Sequence, residues 1–135
     1  MTQLRIKDAA SLLGVSDDTV RRWVDGGTLP HQIDEHNRMV IDGRALAEFA
    51  KAQATPPPDP SAVGRSARNR FVGLVTEVIS DTVMSQVELQ CGPYRVVSLM
   101  STEAVRELKL EPGKVAVAVI KATTVIVETP ERNKE

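Results

Sequence analysis

The hydrophobic positions change period along the chain. Before residue 55 they recur at helical spacing. Ala9, Ala10, Leu12, Leu13 and Val15 form one such set, which Gly14 breaks. Ser16 then offers an N-cap hydroxyl for a second predicted helix, with Asp17 and Asp18 in its first turn, where the helix dipole favours acids. That helix turns Val20, Trp23 and Val24 inward and stops at Gly26-Gly27. Residues 29–41 read as two short extended pieces around the turn-rich tip Asp34-Glu35-His36-Asn37. Asp42 caps a third helix, with Leu46, Phe49 and Ala50 as its apolar stripe.

After residue 65 the pattern is that of strands. Residues 71–79, 83–89, 94–100, 115–120 and 124–127 are five β-branched stretches, separated by Ser80-Asp81, Gly92-Pro93 and Glu111-Pro112-Gly113. One short helix interrupts them, with Thr102 as its expected cap and Val105 and Leu108 facing inward. Strands this short favour a small closed barrel, because closure removes exposed edges. Between the two patterns, Pro56-Pro57-Pro58-Asp59-Pro60 places four prolines in five positions, which stops any helix and favours an extended spacer. The predicted organisation is a small helical domain over residues 1–54, a proline-rich linker over 55–65, an OB-like five-stranded β-barrel over 66–128 and a polar tail over 129–135.

Composition narrows the function classes. Aromatics are only 3% of the chain, so both cores rest on Val, Leu, Ile and Ala. The formal net charge is −1, so no global basic field gathers nucleic acid. The longest apolar run, Val115–Ile120, is far short of the roughly 18 residues of a membrane-spanning helix. The first residues lead straight into an amphipathic pattern without an apolar signal region. Cys91 is the single cysteine and has no internal disulfide partner, which suits a reducing compartment. These features predict a cytoplasmic protein with no membrane partner. There is no Ser/His/Asp grouping, no carboxylate pair in a pocket and no glycine-rich phosphate loop, so an enzyme is not expected. His31 and His36 flank two acids at a spacing that matches no familiar zinc pattern, and no metal site is expected there.

Helix, glycine turn, helix and hairpin is the layout of a winged helix-turn-helix. With Val20, Trp23 and Val24 inward, Asp18, Thr19, Arg21 and Arg22 project outward, where a recognition helix meets the major groove of double-stranded DNA. The pattern Ala9-Ala10-x-x-Leu13-Gly14-Val15-Ser16-x-x-Thr19-Val20-x-x-Trp23, followed by Gly27-x-Leu29-Pro30, resembles the MerR and phage-excisionase type of DNA-binding domain over residues 4–54. The resemblance implies that the hairpin is a wing carrying Arg38 to the minor groove or backbone. Residues 1–54 hold 7 Lys and Arg against 8 Asp and Glu, a net charge of −1. Affinity for DNA scales with the phosphates contacted, so one such module binds weakly and two or more copies are needed.

The second half opens Ser66-Ala67-Arg68-Asn69-Arg70-Phe71-x-Gly73 and closes Lys121-Ala122-Thr123-Thr124-Val125-Ile126-Val127. One arginine, one lysine, small hydroxyls and backbone N–H groups, with no acid, suit a compact tetrahedral dianion. The two segments come close within one antiparallel barrel or meet across a subunit interface. Together with the Glu111-Pro112-Gly113-Lys114 turn, their order and spacing are similar to those of the molbindin (Mop, TOBE-type) domain over residues 66–128. That resemblance implies an OB-like barrel that binds molybdate or tungstate at interfaces. Ser66, Ala67, Arg68 and Asn69 would come from one chain, and Lys121, Ala122 and Thr123 from another. The strand end before the short helix commonly adds a hydroxyl. Ser101 takes that place with Thr102 beside it, and the pattern admits either.

The combination is similar to the ModE type of molybdate-responsive regulator. It implies a DNA-binding transcriptional regulator that senses the oxyanion and assembles at least as a dimer, with a hexamer admitted. Two alternatives fit the same residues. One is a molbindin that stores or buffers molybdate, which the acidic N-terminal half favours. The other is a DNA-binding protein whose barrel only oligomerises it.

Overall fold

A computed structural model describes residues 2–61 and 63–130. Of the tail expected over 129–135, residues 131–135 lie outside the described residues. The chain forms two units, residues 1–55 and 56–135.

The first unit is built on α1 (Ile6–Leu13) and α2 (Asp17–Asp25), joined across Gly14, whose φ of 68° is open to a residue without a Cβ. The Ser16 hydroxyl accepts the Thr19 N–H at 3.2 Å and starts α2 as the sequence predicts. The N–H groups of Thr28 and Leu29 then close on the Trp23 carbonyl, so the chain leaves the helix with Leu29 buried. A hairpin of β2 (Gln32–Ile33) and β3 (Met39–Asp42) follows, and Asp42 accepts the Ala45 N–H at 3.1 Å to cap α3 (Gly43–Gln53). Ile6, Ala9, Ala10, Val20, Val24, Leu29, Ile41 and Leu46 make the core. Trp23 and Phe49 rings pack against it with centroids 4.9 Å apart.

One element escapes the hydrophobic pattern. Gln3–Arg5 forms β1, paired antiparallel with β3 (Gln3↔Asp42, Arg5↔Val40), giving a three-stranded sheet in the order β1-β3-β2. Three residues are too few to show a period of two, so the pairing comes from β3 offering a free edge.

The second unit is a curled antiparallel sheet of OB-like class. Its strands are β4 (Asn69–Ser80), β5 (Met84–Cys91), β6 (Tyr94–Ser101) and β7 (Val115–Ile120), with α4 (Thr102–Leu108) between β6 and β7. The sheet has four strands in the order β6-β5-β4-β7, not the five expected. The stretch expected as a fifth, 124–127, is outside the sheet. A 3-10 turn at Ala122–Thr124 redirects the chain after β7, and Ile126 and Val127 are left 86% and 83% exposed. β6 and β7 do not pair with each other among the described residues, and an apolar trough of about 780 Å3 lies between them.

Two expectations about α4 are corrected. Its cap is Ser101, whose hydroxyl accepts the Ala104 N–H at 3.1 Å. Thr102 is instead buried, with its hydroxyl bonded to Ser85 Oγ at 2.8 Å and donating to the Asp81 carbonyl at 2.9 Å. It pins the helix to the β4–β5 turn, whose Asp81 carboxylate accepts the N–H groups of Val83 and Met84. Leu108 faces the trough and is 55% exposed, because the helix ends at Lys109 (φ 54°) and Leu110 takes the inward place.

Val75, Val87, Leu89, Cys91 and Val105 are the buried centre of this unit. Gly73 lies against β5 so closely that a Cβ there would sit 2.5 Å from the Gln90 carbonyl oxygen and 2.6 Å from Cys91 Sγ.

Two substitutions test these accounts. Ser16→Ala is expected to lower the stability of the first unit by about 1 kcal/mol, and Ser16→Gly by only a few tenths, in urea denaturation. Gly73→Ala should cost the second unit about 2 kcal/mol or more, since backbone has to move to admit the methyl. A neutral Gly73→Ala would show that the β4–β5 contact is looser than described.

Candidate functional site

Charge in the first unit is better read locally than as a sum. The recognition-helix positions sit on the outer side of α2, with Val20 and Val24 buried behind them. Asp18, Arg21 and Arg22 are exposed and Thr19 is half-buried. Thr19 and Arg22 are tied along the helix. Thr19 Oγ1 lies 3.0 Å from Ser16 Oγ and accepts from Arg22 Nη2 at 3.1 Å. Arg21 instead borders a shallow groove of about 300 Å3 with Arg5, Ile6, Lys7, Asp17, Arg38 and Met39. Four cations and one acid make that face basic, although the unit as a whole is not.

Arg38 is held by the hairpin tip. Its Nε donates to Asp34 Oδ2 at 3.2 Å, and Asp34 Oδ1 accepts the N–H groups of His36 and Arg38 at 2.9 Å each. The Arg38 N–H, with that of His36 and the Arg38 charge, holds the Asp34 carboxyl below its ordinary value against the opposing effect of burial. His31 and His36 are exposed on this hairpin. Arg5 and Lys7 were missed in the sequence. The signal is their place beside a strand, and that strand is visible only once Arg5 pairs with Val40 and comes to the side of the hairpin.

In the second unit the site follows from one strand pair. β4 and β7 run antiparallel with Asn69 opposite Ile120, and Asn69 Nδ2 donates to the Ile120 carbonyl at 3.2 Å. Ser66, Ala67 and Arg68 precede β4, and Lys121, Ala122 and Thr123 follow β7. Both segments therefore leave the sheet at the same end, within one chain. Thr124 closes the second segment, its N–H and hydroxyl donating to the Lys121 carbonyl at 3.0 and 2.8 Å. Ser66, Arg68, Lys121, Ala122 and Thr123 are exposed, while Ala67 and Asn69 are half-buried.

Ser101 does not join them. It pairs with Met84, and Ser85 pairs with Ser80, so it stands at the far end of β4. At about 3.3 Å per residue, the 12 residues of β4 run for roughly 36 Å along the strand. Of the two neighbouring hydroxyls, that of Thr102 is spent in the buried network, so Ser101 is the one facing solvent.

One acid is fastened beside this loop. Asp59 accepts from Arg65 and Arg70, and the Arg70 hydrogen bond is the first cause holding its carboxyl well below the usual carboxylate range. Cys91 is buried, and burial pushes its thiol up, away from the nucleophilic thiolate. No helix among the described residues is long and apolar enough to cross a membrane.

Comparison with known proteins gives both units a family. Residues 4–54 match the helix-turn-helix domain and residues 65–127 match the TOBE domain. The chain is 44% identical over 63 residues to a probable molybdenum-pterin-binding protein of Haemophilus influenzae, spanning 46% of this chain and 91% of that one. It is 37% identical over 65 residues to the molybdenum transport protein ModE of Herbaspirillum seropedicae, spanning 47% of this chain and 24% of that one. Among solved structures it is similar to the cytoplasmic molybdate-binding protein ModG with molybdate bound, at 40% identity and a TM-score of 0.50 over 53% of this chain and 52% of that one. The chain belongs to the TOBE-domain family and carries a helix-turn-helix domain ahead of its TOBE domain.

Proposed function

We propose that the chain is a DNA-binding transcriptional regulator that binds molybdate or tungstate through its TOBE unit. The observation that carries this reading is the Asn69–Ile120 pair, which brings the segments holding Arg68, Lys121 and small hydroxyls to one end of the sheet. Charge-assisted donors without an acid in either segment are what a tetrahedral dianion needs. Ser66, Ala67, Arg68, Asn69, Lys121, Ala122 and Thr123 supply one side of the site. Ser101 stands at the opposite end of the sheet, so it enters a site only when a second copy brings it there. The protein acts by binding, in a reducing cytoplasmic setting that suits its buried Cys91.

Assembly follows from the same unit. The open trough between β6 and β7 and the exposed Val125-Ile126-Val127 stretch leave apolar surface that a monomer does not cover. A homo-oligomer, at least a dimer and up to a hexamer, presents several helix-turn-helix units at once. Two weak readers on one particle gain affinity from effective concentration. Arg5, Lys7, Arg21 and Arg38 contact phosphates or base edges of double-stranded DNA, with Asp18, Thr19 and Arg22 alongside. Molybdate that bridges subunits then alters the spacing of the readers. The anion is an effector only if its affinity differs between free and DNA-bound protein.

The acidic balance of residues 1–54 favours a second reading, a molybdate store whose helical unit does not read DNA.

The first test is calorimetric titration of anion-stripped protein with molybdate, with sulfate at matched ionic strength as control. Tight, sulfate-resistant binding is expected, and Arg68→Ala or Lys121→Ala should abolish most of it. Absence of heat and of bound metal would remove the oxyanion role. For DNA, Arg21→Ala should weaken binding across sequences and reduce the slope of log K against log salt by about 1. Equal slopes for the two proteins would remove Arg21 from the phosphate contacts, and no DNA binding by either would favour the store.

A further inference from the structure

The loop that carries Ser66, Ala67, Arg68 and Asn69 is bracketed by two arginines that end on one carboxylate oxygen. Arg65 Nη1 donates to Asp59 Oδ2 at 2.9 Å, and Arg70 Nε donates to the same oxygen at 2.7 Å. The other oxygen, Oδ1, accepts the Ser61 N–H at 2.8 Å. This is not a loose surface pair, since the Arg70 side chain is only 12% exposed. Asp59, by sequence, belongs to the proline-rich linker. Its neighbours Pro60 and Ser61 lie with Arg70 along the trough.

We propose that Asp59 is a positioning residue for the anion loop, a strap from the linker that fastens both ends of Ser66–Asn69. The proposal rests on the oxyanion reading above. One carboxylate holding residues 65 and 70 shortens the span over which the loop can wander. Ordering before the ligand arrives lowers the entropy lost on binding. Asn69 is already fixed to Ile120 on the strand side, so the strap completes the restraint. The same contacts shorten the spacer, leaving residues 54–58 between the end of α3 and the anchored Asp59. Since coupling is reciprocal, an anion that tightens the loop also tightens the strap.

The charge of Asp59 makes the test sharp. A neighbouring acid that only repels a dianion would, once neutralised, leave tighter binding. A strap predicts the opposite. In full-length protein, Asp59→Asn is expected to weaken molybdate binding by roughly tenfold, the usual loss when a supporting contact behind a ligand site is removed. It should also speed tryptic cleavage after Arg65 and Arg70 in the absence of anion. Arg65→Gln removes only the more exposed arm and should act in the same direction with a smaller effect.

Unchanged or tighter molybdate binding by a folded Asp59→Asn protein overturns the proposal while wild-type binding keeps the oxyanion reading intact. If Asp59→Asn does not fold, unchanged affinity in Arg65→Gln overturns it. A wild-type protein that binds no molybdate overturns the oxyanion reading, and the positioning role falls with it.

Discussion

The second unit depends on β4 being shared. Its first half pairs with β7 from Asn69 to Leu74, and its second half pairs with β5 from Leu74 to Ser80. Leu74 is the crossing point, opposite Gln90 on one side and Val115 on the other. The register shift between Val75 and Glu77 bends the strand just beyond it. The Glu111-Pro112-Gly113-Lys114 turn locks the bend, with the Gly113 N–H donating to the Val75 carbonyl and the Val75 N–H to that of Lys114. A residue with a side chain at position 73 would push β5 away from this junction. The pairing of β4 with β7 is also what sets Arg68 and Lys121 at one end. Fold and candidate site thus share one constraint.

Much of this was legible in the sequence because it rests on local chemistry. Ser16 and Asp42 announce their helices by the hydroxyl and carboxylate that accept N3 and N-terminal N–H groups, and both do so. Strands β4 to β7 are recoverable from β-branched runs. What failed was non-local. Val125-Ile126-Val127 has the composition of a strand, but a strand needs a partner, and the 3-10 turn after Ile120 leads it away from β4, whose free edge β7 already occupies. Thr102 and Ser101 are equivalent as caps in sequence, and only the burial of Thr102 against Ser85 and Asp81 separates them. Of the candidate site, the two segments are named by sequence alone. Their meeting within one chain, the distance of Ser101 and the grip of Asp59 are not, since each depends on register across the sheet or on contacts between segments distant in sequence.

Net charge alone does not describe the first unit, for a related reason. Acids and bases nearly cancel over residues 1–54, yet they are not mixed evenly in space. Pairing β1 with β3 carries Arg5 to the groove that Arg21 and Arg38 also border. Asp34 is not among the residues lining that groove, and its oxygens are occupied by the hairpin's own N–H groups and by the Arg38 guanidinium. That pair has two consequences. It rigidifies the tip, and it commits part of the Arg38 donor set within the hairpin, which leaves Arg38 fewer donors for the proposed phosphate contact.

Both units therefore argue for assembly, and they do so on unrelated physics. If the first unit reads DNA as proposed, its basic face of Arg5, Lys7, Arg21 and Arg38 displaces only a few counterions, and a second copy on the same particle supplies the affinity that one module lacks. The sheet leaves a trough between β6 and β7, an exposed Val125-Ile126-Val127 stretch, and a solvent-facing Ser101 hydroxyl roughly a strand's length from the cluster it would complete. On the proposed reading, electrostatics asks for more than one helix-turn-helix unit, and unburied apolar surface asks for more than one curled sheet. A protein that met only one of these demands would be a plain DNA-binding dimer or a plain anion store. On the proposed reading the same association answers both, and Asp59, bonded to Arg65 and Arg70, lies on the short stretch of backbone between the two units.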